Sequence, residues 1–536
     1  MTVADSAVVA AVQFSTGLDV DENLATCLRM IDRAAESQAA LIVLPEFINH
    51  LSVYESSDHC REVAVELDGP FVQALGERAA QHGAYVVGAC TVRRPDRITV
   101  TSLMLGPDGR LMGQADKQTL MGNERQFLSP GPNVAPVFDV DVGATSHRVG
   151  MYACMDGVTP ETPLALTVRG AHILTNSLNS FAKDEASLHI PVRAAENGVY
   201  VVAASKVGPL LPPQQVEAFS EAMGLPPESF NGAGESQIVD PDGTVLVIGP
   251  TEGEAVVAAR ISLPDRDARL FRDGPHPVGA RRPEIYQRLA EPADAPAAAD
   301  PSVRVAVVAT DEADAVRAAL ADAQLVVLPE LAEVPAHIPP GVWVVSTRRD
   351  GDAHVGELHG ADGLVGSQLQ LHVTPRHGWA TRLGDRLELI DLPFGRLALL
   401  VGDDCRLPEP ARLAAVEGAN LLAVPTHVEE KWVDDLGLTE RAAENRLCLA
   451  AATRPTRHGT SLLVDLPTDF TLWAPERDRP FDGTINQPDV VRATVDDPFL
   501  IGDLHLDRTA NRFISKDTDL VDGRAMESTA VLLGET

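Results

Sequence analysis

Three side chains have the types and settings from which covalent catalysis could be assembled: Cys154, Glu46 and Lys117. Cys154 ends an apolar run over 147–153 that reads as a buried strand, and it precedes Thr159 and Pro160, a suitable N-cap and first helical residue. A thiol between strand and helix feels the positive end of the helix dipole, which favours the nucleophilic thiolate. The same setting also suits a cysteine that is only a small core residue. Glu46 closes an LPE segment after a strand over 40–44, and the C-terminal ends of strands are where α/β sheets carry their sites. A surface carboxylate after a turn is the plainer alternative. Lys117 is one of five lysines among 44 basic residues, which makes its place beyond a hairpin informative.

The elements that must position these residues can be read from the periodicity. Asp21 is expected to cap a helix whose Leu24, Leu28, Ile31 and Ala35 share one face. A helix over 70–82 is followed by strands at 84–92 and 100–105, and a GPDG turn leads into 110–115 as a hairpin ending at Lys117. Beyond Cys154 come a helix from Pro160, a strand at 171–175, and an RAAEN segment (193–197) opening a strand at 199–204. A second hairpin spans 234–249. The stretch 209–232, rich in Pro, Gly and acidic residues, reads as a surface excursion near the site.

At 536 residues the chain exceeds one core and must divide into domains, and its 45% hydrophobic and 23% charged residues suit packed globular units. The 77 acidic against 44 basic residues give a net charge of -33, which opposes nucleic acid and anionic lipid and points to a small-molecule partner. No apolar run approaches the length of a membrane span, and no export signal is evident. The six cysteines are scattered without a CxxC pair, against both a zinc site and a disulfide framework, so a cytoplasmic location and neither cofactor nor metal are expected.

Taken together, LPEF at 44–47, the hairpin ending in Lys117, the cysteine in CxDGxxPE, RAAEN, and GESQIVDPDG at 234–243 resemble the nitrilase, or carbon–nitrogen hydrolase, superfamily over roughly residues 6–287. The resemblance implies an α/β fold of αββα sandwich type and a Glu-Lys-Cys triad at Glu46, Lys117 and Cys154. In that chemistry a thiolate attacks a carbonyl, Glu46 holds the transferred proton, and Lys117 with the backbone N–H of Met155 stabilises the oxyanion. Glu124, in the place of the family's additional glutamate, would orient Lys117 or the substrate. Family members acting on nitriles tend to have Trp-Glu after the nucleophile, whereas Met155-Asp156-Gly157 is nearer the amidase side. A small linear amide is therefore the expected substrate. Acyl transfer to an amine, nitrile hydrolysis and a non-enzymatic binding role are the alternatives. Phe181 stands where the family often has tryptophan.

Residues 291–302, EPADAPAAADPS, read as a linker between a catalytic domain (1–290) and a second copy (303–536). In that copy LVVLPE at 325–330 repeats LIVLPE, and RAAEN recurs at 441–445. Arg193 lies 39 residues after Cys154, and the same step back from Arg441 reaches Gly402. Ungapped pairing of Gly113 with Gly366 places Gln370 at the lysine position and His377 opposite Glu124. Only Glu330 survives, and Cys405, three residues late, is the one thiol nearby. Because the family pairs two sandwiches through a shared interface, the resemblance implies an active and a degenerate half packed as a pseudo-dimer within one chain.

Overall fold

The computed structural model describes residues 5–142, 145–263, 277–468, 470–472 and 481–534. In the first half two six-stranded sheets lie face to face. One has the order Ala255–Leu263, Asp5–Gln13, Leu41–Val43, Tyr85–Arg93, Ile98–Leu105, Leu111–Asp116; the other runs Val245–Ile248, Gln237–Val239, Tyr200–Ala204, Ile173–Ser177, Thr145–Ala153, Val137–Val142. Their inner faces share a core of Val9, Val43, Met104, Val149, Met151 and Val202. The outer face of the first sheet buries Ile42 and Leu44 against the helices Val20–Ala35 and Pro70–His82, and the second sheet buries Leu174 and Val201 against Glu161–Val168 and Ile190–Asn197. Because the central strands are covered on both faces, they read as continuous apolar runs rather than alternating ones. The first helix is capped by Asp19, whose side chain accepts from the N–H groups of Asp21 and Glu22, so the expected cap at Asp21 is two residues late.

The second half repeats the plan. One sheet is ordered Gly363–Leu369, Ala353–Gly360, Trp343–Asp350, Leu325–Val327, Val303–Val308, Phe499–Leu504, and faces a second built from Leu389–Leu392, Gly395–Leu399, Leu421–Pro425, Cys448–Ala452, Leu462–Asp465 and Asp489–Arg492. Residues 291–302 do not hang between the halves as a loose tether. Backbone N–H groups of Asp294, Ala297 and Asp300 donate to the carbonyls of Val416, Gly418 and Phe394. Among the described residues no helix is long and apolar enough to cross a membrane.

The halves meet through the helices that follow the two elbows. The two RAAEN motifs face each other: buried Arg193 reaches Glu440 and Glu444 at 2.6 and 2.7 Å, and Arg441 reaches Glu196. Glu161 binds Arg412 at 2.6 Å, and its counterpart Glu409 binds Arg281. Each half also sends its C-terminal segment onto the other. Tyr286 and Leu289 are buried in the second half's core, and Arg282 donates to the carbonyl of Leu371. In return the helix Met526–Leu532 packs Val531 and Leu532 against Leu164, while Thr518 accepts from the N–H of Gly122. Removing one partner of a buried, hydrogen-bonded ion pair typically costs about 3–5 kcal/mol, so this interface cannot be opened without a large loss.

Candidate active site

Glu46, Lys117, Cys154 and Glu124 come together at the ends of strands from both sheets of the first half. Glu46 follows Leu41–Val43, Lys117 follows Leu111–Asp116, and Cys154 follows Thr145–Ala153. The Lys117 ammonium donates to Glu46 Oε1 at 2.9 Å and to both oxygens of Glu124 at 3.0 Å. Glu124 also accepts from the N–H of Met121, at 2.9 Å. Glu46 and Lys117 are fully buried, and the second oxygen of Glu46 has no protein partner among the described residues. Phe47, next to Glu46, has φ 54°, and its carbonyl accepts from Lys206 Nζ at 3.1 Å, which pins the bend that aims the carboxylate.

The turn at Cys154 is tighter than sequence suggests. Cys154 opens a single 3-10 turn, Cys154–Gly157, with its own φ at 48°, a left-handed conformation that is costly for a residue with a Cβ. The following helix starts at Glu161 with Pro160 as its N-cap and no side-chain cap, so Thr159 does not cap it and the cysteine is not at its first turn. The turn is held from three sides. Asn176 accepts the N–H of Cys154 at 2.9 Å; Asp156 accepts from Gln118 and Thr119, joining the cysteine loop to the lysine loop; and Arg193 donates to the carbonyls of Gly157 and Val158 at 2.8 and 2.9 Å. Since Arg193 is itself held by Glu440 and Glu444, the second half braces the elbow.

Electrostatics correct the expected resting thiolate. Burial, reinforced by the neighbouring Glu46 and only partly offset by Lys117, pushes the Cys154 thiol well above its ordinary range. Burial also raises Glu46 to about 7 against the opposing pull of Lys117, while the two carboxylates overcome the burial of Lys117 and keep it charged. The resting group is therefore a thiol beside a carboxyl whose titration is raised to near neutral pH.

A cleft of about 410 Å³, including its mouth, opens beside Cys154. Met155 lines it with its side chain, and so does Phe181, whose ring meets Phe481 of the second half edge to face. Sequence reasoning missed the remaining polar wall. Glu185 is buried with Oε2 unpaired among the described residues, and its burial raises it to about 7. Asn179 Oδ1 is also unpaired. Ile485, Asn486 and Ile514 come from the second half, and the Asn486 side chain, 1% exposed, has neither amide atom paired among the described residues. Asp184 holds this segment in place by accepting from the N–H groups of Ile485 and Asn486. Only the composition of 209–232 hinted at this wall: the strand that closes the excursion, Asn231–Ala233, ends with the Ala233 N–H bonded to the carbonyl of Ser180, another lining residue.

The same framework recurs in the second half with other residues at the cysteine and lysine positions. Gln370 N–H donates to the His354 carbonyl at 2.9 Å, as Lys117 N–H does to Val100 at 2.8 Å. Asp404 accepts from Leu371 and His372, as Asp156 does from Gln118 and Thr119. These bonds align Gln370 with Lys117 and Gly402 with Cys154. His377 Nε2 lies 2.7 Å from Glu330 Oε1, and Arg376 also binds Glu330. Cys405 is buried behind the turn, its thiol raised to about 12 by desolvation.

A model of the carbon–nitrogen hydrolase family matches residues 8–269. The chain is similar to a nitrilase of Pyrococcus abyssi, at 29% identity over 247 residues that span 46% of this chain and 86% of that protein. It is also similar to the deaminated glutathione amidase of Bos taurus, at 27% identity over 303 residues, 53% of this chain and 84% of the other. An amidase from Nesterenkonia sp. of known structure aligns over 48% of this chain and 92% of its own, at 22% identity and a TM-score of 0.39.

Proposed function

We propose that the protein, whose residues 8–269 match the carbon–nitrogen hydrolase family model, is an amidase-like hydrolase that cleaves a small linear amide through a thioester on Cys154. The observation that carries this reading is Lys117 bonded at once to Glu46 and Glu124 beside a buried cysteine on a strained turn. In the reaction Cys154 Sγ attacks the amide carbonyl as its proton passes to Glu46. The oxyanion forms against Lys117 and the N–H of Met155. Collapse expels the amine, which takes the proton from Glu46, and water then releases the acid with Glu46 as base. Glu124 holds Lys117 between two carboxylates and so keeps its charge aimed at the carbonyl.

The wall of the cleft supports a finer reading. Glu185, Asn179 and Asn486 present buried, unpaired acceptors and an amide donor opposite the apolar Met155 and Ile514. Such groups bind a substrate whose acyl part carries a polar, hydrogen-bonding end rather than a plain alkyl tail. Residues 1–290 act as the catalytic domain, joined through 291–302 to a degenerate domain, 303–536, that takes the part of a second subunit. The six unpaired cysteines support a reducing, cytoplasmic setting. The test is intact-mass spectrometry after incubation with a panel of amides: an acyl adduct on the parent chain, absent from Cys154→Ala, is expected. An adduct on another cysteine, or turnover without Cys154, would overturn the reading.

A further inference from the structure

The degenerate half has an unassigned cluster where its twin carries the triad, and we infer that Glu330, His354 and His377 form a binding site for a divalent transition-metal ion of the zinc type. One ligand atom from each lies within 4.8 Å of the others, and all three residues are buried. Glu330 Oε1 stands 2.7 Å from His377 Nε2 and 3.7 Å from His354 Nε2, distances that bracket the roughly 3.3 Å between ligand atoms held about 2.0 Å from a tetrahedral ion. Two imidazoles and a carboxylate are a donor set that suits zinc and its first-row neighbours, with a fourth position left for water.

The surroundings are arranged as an outer shell. The Gln370 amide N–H donates to the His372 carbonyl, which turns its Oε1 towards His354 Nδ1 at 2.8 Å. That oxygen must accept the Nδ1 proton, so His354 Nε2 carries a lone pair, and this buried atom has no protein partner among the described residues. His377 Nδ1 likewise faces Thr374 Oγ1 at 3.2 Å and Asp403 Oδ2 at 3.7 Å, leaving Nε2 for the cluster. Imidazole ligands are commonly fixed in this way by an acceptor on the other ring nitrogen. Arg376 engages Glu330 at Oε2 and, more weakly at 3.3 Å, at Oε1, and it also binds Asp403, so Glu330 Oε1 is shared between this guanidinium and the histidine side. With neutral imidazoles, Glu330 and Asp403 outweigh Arg376 by one negative charge. Gly402 makes the space: a Cβ there would stand 2.7 Å from His377 Cε1, 3.0 Å from Glu330 Oε1 and 3.1 Å from His354 Cε1. A cysteine at this position, as at Cys154 in the other half, would crowd both imidazoles. The earlier expectation of no metal rested on cysteine spacing, which is silent about histidines.

The test uses the full-length chain, stripped with a chelating resin and titrated with ZnCl₂ by calorimetry, with elemental analysis after dialysis. One zinc per chain is expected. His354→Gln and His377→Gln should each weaken binding at least about 100-fold, while Gln370→Leu, which keeps all three ligands but removes the outer-shell acceptor, should weaken it about 10–100-fold. Cys154→Ser, in the other half, should bind zinc as the parent does. Thermal melting of each variant reports whether it is folded. A folded parent that retains no zinc, or histidine variants that bind it as tightly as the parent, would overturn the proposal. So would loss of the zinc in Cys154→Ser, which would place it at the triad instead.

Discussion

The turns at Cys154 and Gly402 are the same piece of backbone put to two uses. Each follows a strand paired in parallel with its neighbour, each residue is left-handed with φ 48° and 59°, and each is tied by an aspartate two residues on to the loop that carries the lysine position. At Cys154 the conformation costs of order 1–2 kcal/mol because a Cβ is present; at Gly402 it costs almost nothing. The elbow therefore belongs to the fold and the strain to the cysteine. The second half has Gly402 and Gln370 at the two positions and still has the same scaffold, and the first half leans on it through Arg193, Glu440 and Glu444.

The comparison can be broken at several depths. Replacing Cys154 with Ala should cost turnover roughly a millionfold with the fold intact, whereas Cys405→Ala should cost nothing; comparable steady-state rates for the parent and Cys154→Ala would end the assignment. Lys117→Ala should cost at least about 10³-fold in kcat, since it removes an oxyanion donor and strands two carboxylates. Expressed alone, residues 1–290 should aggregate or self-associate and lose most activity, because the surfaces under Arg412, Glu440 and the helix Met526–Leu532 are then bare; a monomeric, fully active fragment by light scattering and turnover would show that the halves do not need each other.

Smaller effects sharpen the picture. The rate constant kcat/KM should rise as pH increases through about 7, because Glu46, raised to about 7, must be ionised to take the thiol proton and is protonated below that point. Glu185→Gln should keep this limb, and a flat profile in the parent between pH 6 and 8 would contradict the role of Glu46. Asn486→Ala should raise KM about 5–20-fold, the value of one lost hydrogen bond of about 1–1.8 kcal/mol, with kcat little changed. Kinetics on polar and alkyl amides of equal length would expose a purely structural Asn486, for which neither constant moves.

The grouping of Glu46, Lys117 and Cys154 and the doubled sandwich were legible because they rest on local patterns: LPE at a strand end, a rare lysine after a hairpin, a repeated RAAEN. Cap positions and protonation states were not. Asp19 rather than Asp21 caps the first helix because competing acidic residues two positions apart look alike in sequence, and the Cys154 thiol is raised by burial and by Glu46, neither of which is visible from its neighbours in the chain. The polar wall was hidden for a different reason. Asn486 lies some 300 residues from Glu185, and only tertiary packing brings them to one cleft.

That long-range contact has a consequence for how such a chain changes over generations. In an assembly of two identical chains, any residue that crosses the boundary to complete a neighbour's pocket is present twice, and each substitution is tried in both pockets together. Here Asn486 answers to a single pocket, and the opposite cavity is free to follow its own course. Under the proposed function, substrate range would therefore drift through the half that lacks the Cys154 and Lys117 counterparts, while Glu46, Lys117 and Cys154 stay untouched.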